Sequence, residues 1–147
     1  MKIVVIDGQG GKMGRSVIEQ LKSSYPNMEI YAIGTNSIAT AAMLKAGANY
    51  GATGENPAIV NSQDADLIIG PIGIVMANSL LGEITPAMAS AIASCKAYKI
   101  LIPVNRCNHL IIGCKNCSLS DYPWSARKLE RRSKNMRTVE FKMERQG

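Results

Sequence analysis

The opening MKIVVIDGQGGKMGRSVIEQL constrains the fold more than any other stretch. A short β-branched run, KIVVI (2–6), ends at Asp7-Gly8. Glycines at 8, 10, 11 and 14 then lead into Met13, Val17, Ile18 and Leu21, which recur at helical spacing until Tyr25-Pro26-Asn27. A buried strand, a bare turn and an amphipathic helix are the first half of a βαβ unit. Glycine belongs in such a turn for geometric reasons. Leaving the strand sharply needs positive φ, and a pyrophosphate needs backbone N–H groups with no Cβ in the way. The helix N-terminus adds free amides and partial positive charge, and Arg15 adds a cation. Gly8, Gly10, Gly11, Lys12, Met13 and Gly14 are therefore candidate phosphate-contacting positions. The alternative is a compact turn with no ligand.

The pattern continues in the same style. EIYAIG (29–34) reads as a second strand, and Ser37 as the cap of a helix over 38–46 with Ala41, Ala42 and Leu44 inside and Gly47 as its stop. NYGA (49–52) is a weak third strand. Asn56-Pro57 reads as a cap and first residue of a helix reaching Ser62. DADLIIG (64–70) is a strong buried strand, followed by Gly70-Pro71-Ile72-Gly73 and a helical stretch over 74–81. Thr85-Pro86 starts another helix to Cys95, KILIPV (99–104) is a fifth strand, and HLIIG (109–113) a sixth. Apolar strands alternating with helices predict an α/β fold: a three-layer, doubly wound, mainly parallel sheet of Rossmann-like order 3-2-1-4-5-6.

The charge divides the chain of 147 residues. Residues 127–147 hold eight Lys/Arg against three Glu, whereas residues 1–126 are close to neutral. The division predicted is a nucleotide-binding domain over 1–122 and a basic tail over 123–147. The tail reads as a solvated helix face from about 125 to 134, with TVEFKME (138–144) as an edge strand or a mobile end. Trp124 and Phe141 alone offer stacking there, so sequence-specific nucleic-acid binding is not expected. The longest apolar run is broken by Gly, Pro and Asn, and no signal h-region follows Met1 and Lys2, so a cytoplasmic protein with no membrane span is expected. In that compartment Cys95, Cys107, Cys114 and Cys117 remain thiols. Cys107, His109, Cys114 and Cys117 lie close enough to suggest zinc, but a strand through HLIIG does not make a zinc knuckle, so no metal site is assigned.

Loops at the carboxyl ends of these strands surround one crevice. They bring Asp7, Thr35, Asn36, Ser37, Thr53, Glu55, Asn56 and Asn105 towards it, with Gly70, Pro71, Ile72 and Gly73 as a second bare backbone surface. Two features depart from an ordinary NAD site. The carboxylate expected at the end of the second strand is replaced by GTNS (34–37), whose side chains offer a ribose or a 2′-phosphate only neutral donors. The other is Asp7. A carboxylate near 5 Å from a diphosphate costs about 1–3 kcal/mol unless it pairs with Lys12 or Arg15, binds a metal, or caps the loop's amides. The acid–base candidates are Asp7, Glu55, Glu83 and His109, with Asp7 and Glu55 foremost. Glu83 reads most simply as a charge at the start of the helix begun at Thr85.

The form GQGGKMGR (8–15) resembles the loop of the dihydrodipicolinate reductases, over about the first 35 residues. That resemblance implies NADH or NADPH binding and carries over Gly8, Gly11 and Gly14. Beyond it, IDGQGGKMG, GTNSIATAAMLKAGA, GATGEN, IIGPIGIV, SLLGEITPAMA and KILIPVN make residues 1 to about 122 similar to a family of small bacterial Rossmann-like proteins of unknown function. It implies a fold and nucleotide binding but no established reaction. After Tyr122 that family has an acidic amphipathic helix, where this chain has its basic tail.

The expectation is a single-domain protein binding a nucleotide or dinucleotide, NAD or NADP included, through the glycine loop, and acting as a homo-oligomer. One alternative is an NAD(P)-dependent oxidoreductase completed by a second subunit, with the 70–73 loop beside the nicotinamide. Another is a metal-assisted phospho-ligand enzyme using Asp7.

Overall fold

A computed structural model describes residues 1–104 and 110–112. The described residues fall in one compact unit, Met1–Cys114. Five parallel strands, β1 (Ile3–Asp7), β2 (Ile30–Gly34), β3 (Tyr50–Thr53), β4 (Leu67–Pro71) and β5 (Tyr98–Ile102), form one sheet of order β3-β2-β1-β4-β5. Four helices, α1 (Lys12–Ser24), α2 (Ser37–Lys45), α3 (Glu55–Gln63) and α4 (Pro86–Ser94), cover it. The fold is the expected Rossmann-like three-layer α/β arrangement, with five strands among the described residues where six were expected. Leu110–Ile112, the described part of the expected sixth strand, are not in a strand. The expectations for Asn105, Cys107, His109, Cys114, Cys117 and the tail concern positions outside the described residues.

The sheet is built from its middle. β1 and β4 are buried at every position, as apolar strands covered on both faces must be. Ile3 pairs with both Ile30 and Leu67, and Val5 with both Ala32 and Ile69. The edge strand β3 is largely exposed, which is why its sequence signal is faint. Ile6, Ile33, Ile68, Ile74, Ile84, Met88 and Ile92 belong to one hydrophobic core cluster. Each such side chain contributes about 1.5–3 kcal/mol by leaving water. On α1, Val17, Ile18 and Leu21 are buried, in the expected phase.

Several local expectations need correction. Asn36, not Ser37, caps α2: its Oδ1 accepts from the Ala39 N–H at 2.9 Å. The buried face of α2 is Ala39, Thr40 and Met43, while Leu44 is 41% exposed. Thr40 is admitted to the interior because its hydroxyl finds Thr53 Oγ1 at 2.7 Å and the Asn36 carbonyl at 3.1 Å. Leu44 instead lies over the edge, where Gly51 leaves it room. Helix α3 starts at Glu55, with Gly54 (φ 106°) before it, so Asn56 is inside the helix. The stretch 74–81 is not an α-helix but part of two short 3-10 turns, Ile72–Val75 and Leu80–Gly82, and the link between them.

Ile68 is fully buried between the layers. Ile68→Ala is expected to lower the unfolding free energy by about 2–5 kcal/mol in denaturant titration, with unchanged spectroscopic signature of the folded state.

Candidate functional site

The strand order places a switch point between β1 and β4, because the chain winds outwards to β2 and β3 before returning to β4. The glycine loop leaves β1 on one side of this point, and the segment after β4 leaves on the other.

Asp7 ends β1 and is 5% exposed. Its Oδ1 accepts from the Gly8 N–H at 2.8 Å and its Oδ2 from the Gly14 N–H at 2.7 Å. Of the roles open to it in the sequence, Asp7 therefore has the amide-capping one. Arg15 pairs with Glu19 at 2.8 Å instead. Burial pushes the Asp7 carboxyl above its ordinary range, against the N–H donors of Gly14, Gly8 and Met13, and the nearby Glu83 charge pushes the same way.

The four glycines of the loop differ in what the fold asks of them. Gly11 sits at φ 66°, and a Cβ there would lie 2.7 Å from Ala39 Cα, so it permits the α1–α2 approach. A Cβ on Gly14 would meet Met43 Sδ at 2.5 Å, and one on Gly8 would meet Glu83 Oε2 and Thr35 Oγ1 at 2.7 Å each. Gly10 is different. It has no left-handed φ, and the nearest atom to an added Cβ is Lys12 Cγ at 4.0 Å. Its backbone is bare although nothing packs on it. Among the described residues, the N–H groups of Gly10 and Lys12 have no acceptor and the exposed Lys12 ammonium no ion-pair partner.

The other carboxylate at the crevice is Glu83, which sequence reasoning assigned to the start of α4. It reaches across the switch point instead. Its Oε2 accepts from the Gln9 N–H at 2.8 Å, from Asn36 Nδ2 at 3.1 Å and from the Thr35 hydroxyl. Burial alone raises the Glu83 carboxyl, but these three donors outweigh it and hold the group below its ordinary value. Asn36 Nδ2 also donates to the Gln9 carbonyl at 2.9 Å, which ties the end of β2 to the glycine loop.

The segment that delivers Glu83 has an unusual backbone. Asn78 (φ 63°), Leu80 (φ 53°) and Leu81 (φ 58°) are left-handed without being glycine, and Gly82 follows at φ 88°. Ile84, fully buried, anchors it; Asn78 N–H donates to the Ile84 carbonyl at 2.7 Å, and Ser79 Oγ to the Gly73 carbonyl at 2.5 Å.

Other predicted residues are placed as follows. Thr53 is occupied with Thr40. Glu55 accepts from the hydroxyl of Thr85, the α4 cap, so it links two helix starts away from the glycine loop's contacts. Ser37 is exposed at the first turn of α2. Pro71 is buried, Ile72 and Gly73 half-buried, and a Cβ on Gly70 would clash with the Ile6 carbonyl, so that glycine serves strand packing. Cys95 is a free, half-buried thiol donating to the Ile92 carbonyl at 3.2 Å. No helix among the described residues is long and apolar enough to cross a membrane, and no group of three or more His, Cys, Asp or Glu among them is placed to hold a metal.

The class these residues define is an α/β protein with a glycine loop and two hydrogen-bonded carboxylates at the switch point of its parallel sheet. Residues 2–128 match the family described as Domain of unknown function (DUF3842), and the chain belongs to it. The match reaches past Tyr122 into the first tail residues. No curated protein and no solved structure gives a significant match.

The two carboxyls should titrate on opposite sides of the usual range. Asp7, raised, brings a stability that is present below its unfolded value and lost as pH rises through its folded value. Glu83, lowered, brings one that is present above its unfolded value and lost as pH falls through its folded value. Carboxyl-carbon NMR titration is expected to give the Asp7 midpoint above, and the Glu83 midpoint below, the ordinary values of Asp and Glu side chains.

Proposed function

We propose that this protein binds a nucleotide, mono- or dinucleotide, with a phosphate at the Gly10–Lys12 edge of the glycine loop. The observation that carries the reading is Gly10. The fold uses the bareness of Gly8, Gly11 and Gly14 for its own packing, but it makes no use of that of Gly10. Gly10 N–H, Lys12 N–H and the Lys12 ammonium form a donor set at the N-terminus of a thirteen-residue helix, the chemistry an anionic oxygen requires. NAD and NADP are the cofactors to which such a loop is best suited.

The reading is of binding rather than of a reaction. Asp7 has a main-chain donor on each oxygen and lies buried, which disfavours it as a metal ligand or proton donor. Glu55 is engaged with Thr85. A reductase assembled with a second copy of the chain is the version of this reading that would add chemistry.

Gly10→Val separates ligand from fold. It is expected to leave the thermal midpoint within about 2 °C of wild type, since an added Cβ there meets only Lys12 Cγ, at 4.0 Å. It is also expected to abolish the stabilisation given by NAD, NADP and ADP in a thermal-shift panel. Absence of any shift in the wild-type protein with all three would defeat the proposal.

A further inference from the structure

We infer that Glu83 reads the ribose of the bound nucleotide: its Oε1 accepts from free 2′- and 3′-hydroxyls, so the site prefers NAD-type ligands and disfavours a 2′-phosphate. The inference rests on the nucleotide-binding reading and deepens it. In a doubly wound sheet the ribose is held by a carboxylate beside the first glycine turn, at the end of the second strand. GTNS (34–37) lacks one there. Glu83 places a carboxylate at that same corner from the opposite side of the switch point, against the Gln9 N–H of the turn and against Thr35 and Asn36 of the strand's end.

Three details fit a ribose rather than a merely structural bridge. All three hydrogen bonds go to one oxygen, Oε2, and Oε1 has no donor among the described residues. A carboxylate fixed by one oxygen with the other unclaimed is suited to accept from a pair of vicinal hydroxyls. Next, Thr35 and Asn36 are neutral donors that the sequence offers a 2′-phosphate, and both are already engaged: Thr35 donates to Glu83, and Asn36 donates to Glu83 and to the Gln9 carbonyl. Finally, its donors hold Glu83 in the charged form, and among the described residues no Lys or Arg forms an ion pair with it. A 2′-phosphate here would face a carboxylate in a partly buried site, where like charges weigh most.

Isothermal titration of the full chain with NAD, NADP, ADP and 2′-deoxy-ADP tests this. The expected wild-type result is NAD over NADP by roughly tenfold or more, and ADP over 2′-deoxy-ADP by several-fold. Glu83→Gln keeps a side-chain oxygen for Gln9 and Thr35 but loses the charge, and should bring NAD and NADP within about threefold of one another. Equal wild-type affinity for NAD and NADP, or an NADP preference, overturns the inference while leaving nucleotide binding intact. So does discrimination that survives Glu83→Gln unchanged. Failure of the wild type to bind any of the four overturns both. Should Glu83→Gln not fold, the wild-type ratios decide.

Discussion

The carboxylate of Asp7 binding the Gly8 and Gly14 N–H groups is the interaction on which the crevice depends. One oxygen holds the start of the turn and the other the first turn of α1, so strand end and helix start are fixed by one buried side chain. Charged acceptors on main-chain donors are among the stronger hydrogen bonds, and stronger still away from water. With the turn fixed, Gly8 faces Glu83, Thr35 and Leu80, Gly11 faces Ala39, and Gly10 is left facing outwards. The loop is thus internally satisfied at the places where a dinucleotide loop is usually open. On the proposed reading, the ligand-facing edge lies one or two residues along, at Gly10 and Lys12.

A second acid so near is tolerated because each carboxylate has its own donors. The Glu83 charge adds to the upward push on Asp7, yet Glu83 itself stays low through Gln9, Thr35 and Asn36. The corner is therefore built from two separately hydrogen-bonded carboxyl groups rather than a proton-sharing pair. That arrangement suits recognition of hydroxyl groups better than acid–base chemistry.

The fold was largely legible in the sequence. Strand–turn–helix punctuation placed β1, α1, β2 and β4, and the order of the five strands followed from right-handed crossovers. What failed was phase and capping. Asn36 and Ser37 are both competent caps, and only the chain's path out of β2 selects Asn36. Pro57 suggested a helix start at 56, but the left-handed Gly54 turns the chain two residues earlier. Residues 74–81 are apolar enough to look helical, and the left-handed Asn78 and Leu80, invisible to composition, break them. The same blindness hid Glu83. Its partners at Gln9, Thr35 and Asn36 are 74, 48 and 47 residues away, so no local pattern links them. The signal available was the missing carboxylate in GTNS, which asks for an acid from elsewhere.

The left-handed segment 78–82 has a consequence for how tightly anything can be held here. Each non-glycine residue in that conformation costs on the order of 1 kcal/mol, met by the rest of the fold through Ile84 and the Ser79–Gly73 bond. The backbone under Glu83 is fixed by contacts within the fold itself. Freezing a glutamate side chain costs about 1.5–2 kcal/mol of rotamer entropy, and here folding has already borne that cost. Association at this corner would therefore need little further ordering of Glu83, and its binding entropy should carry little of the penalty that accompanies a closing loop.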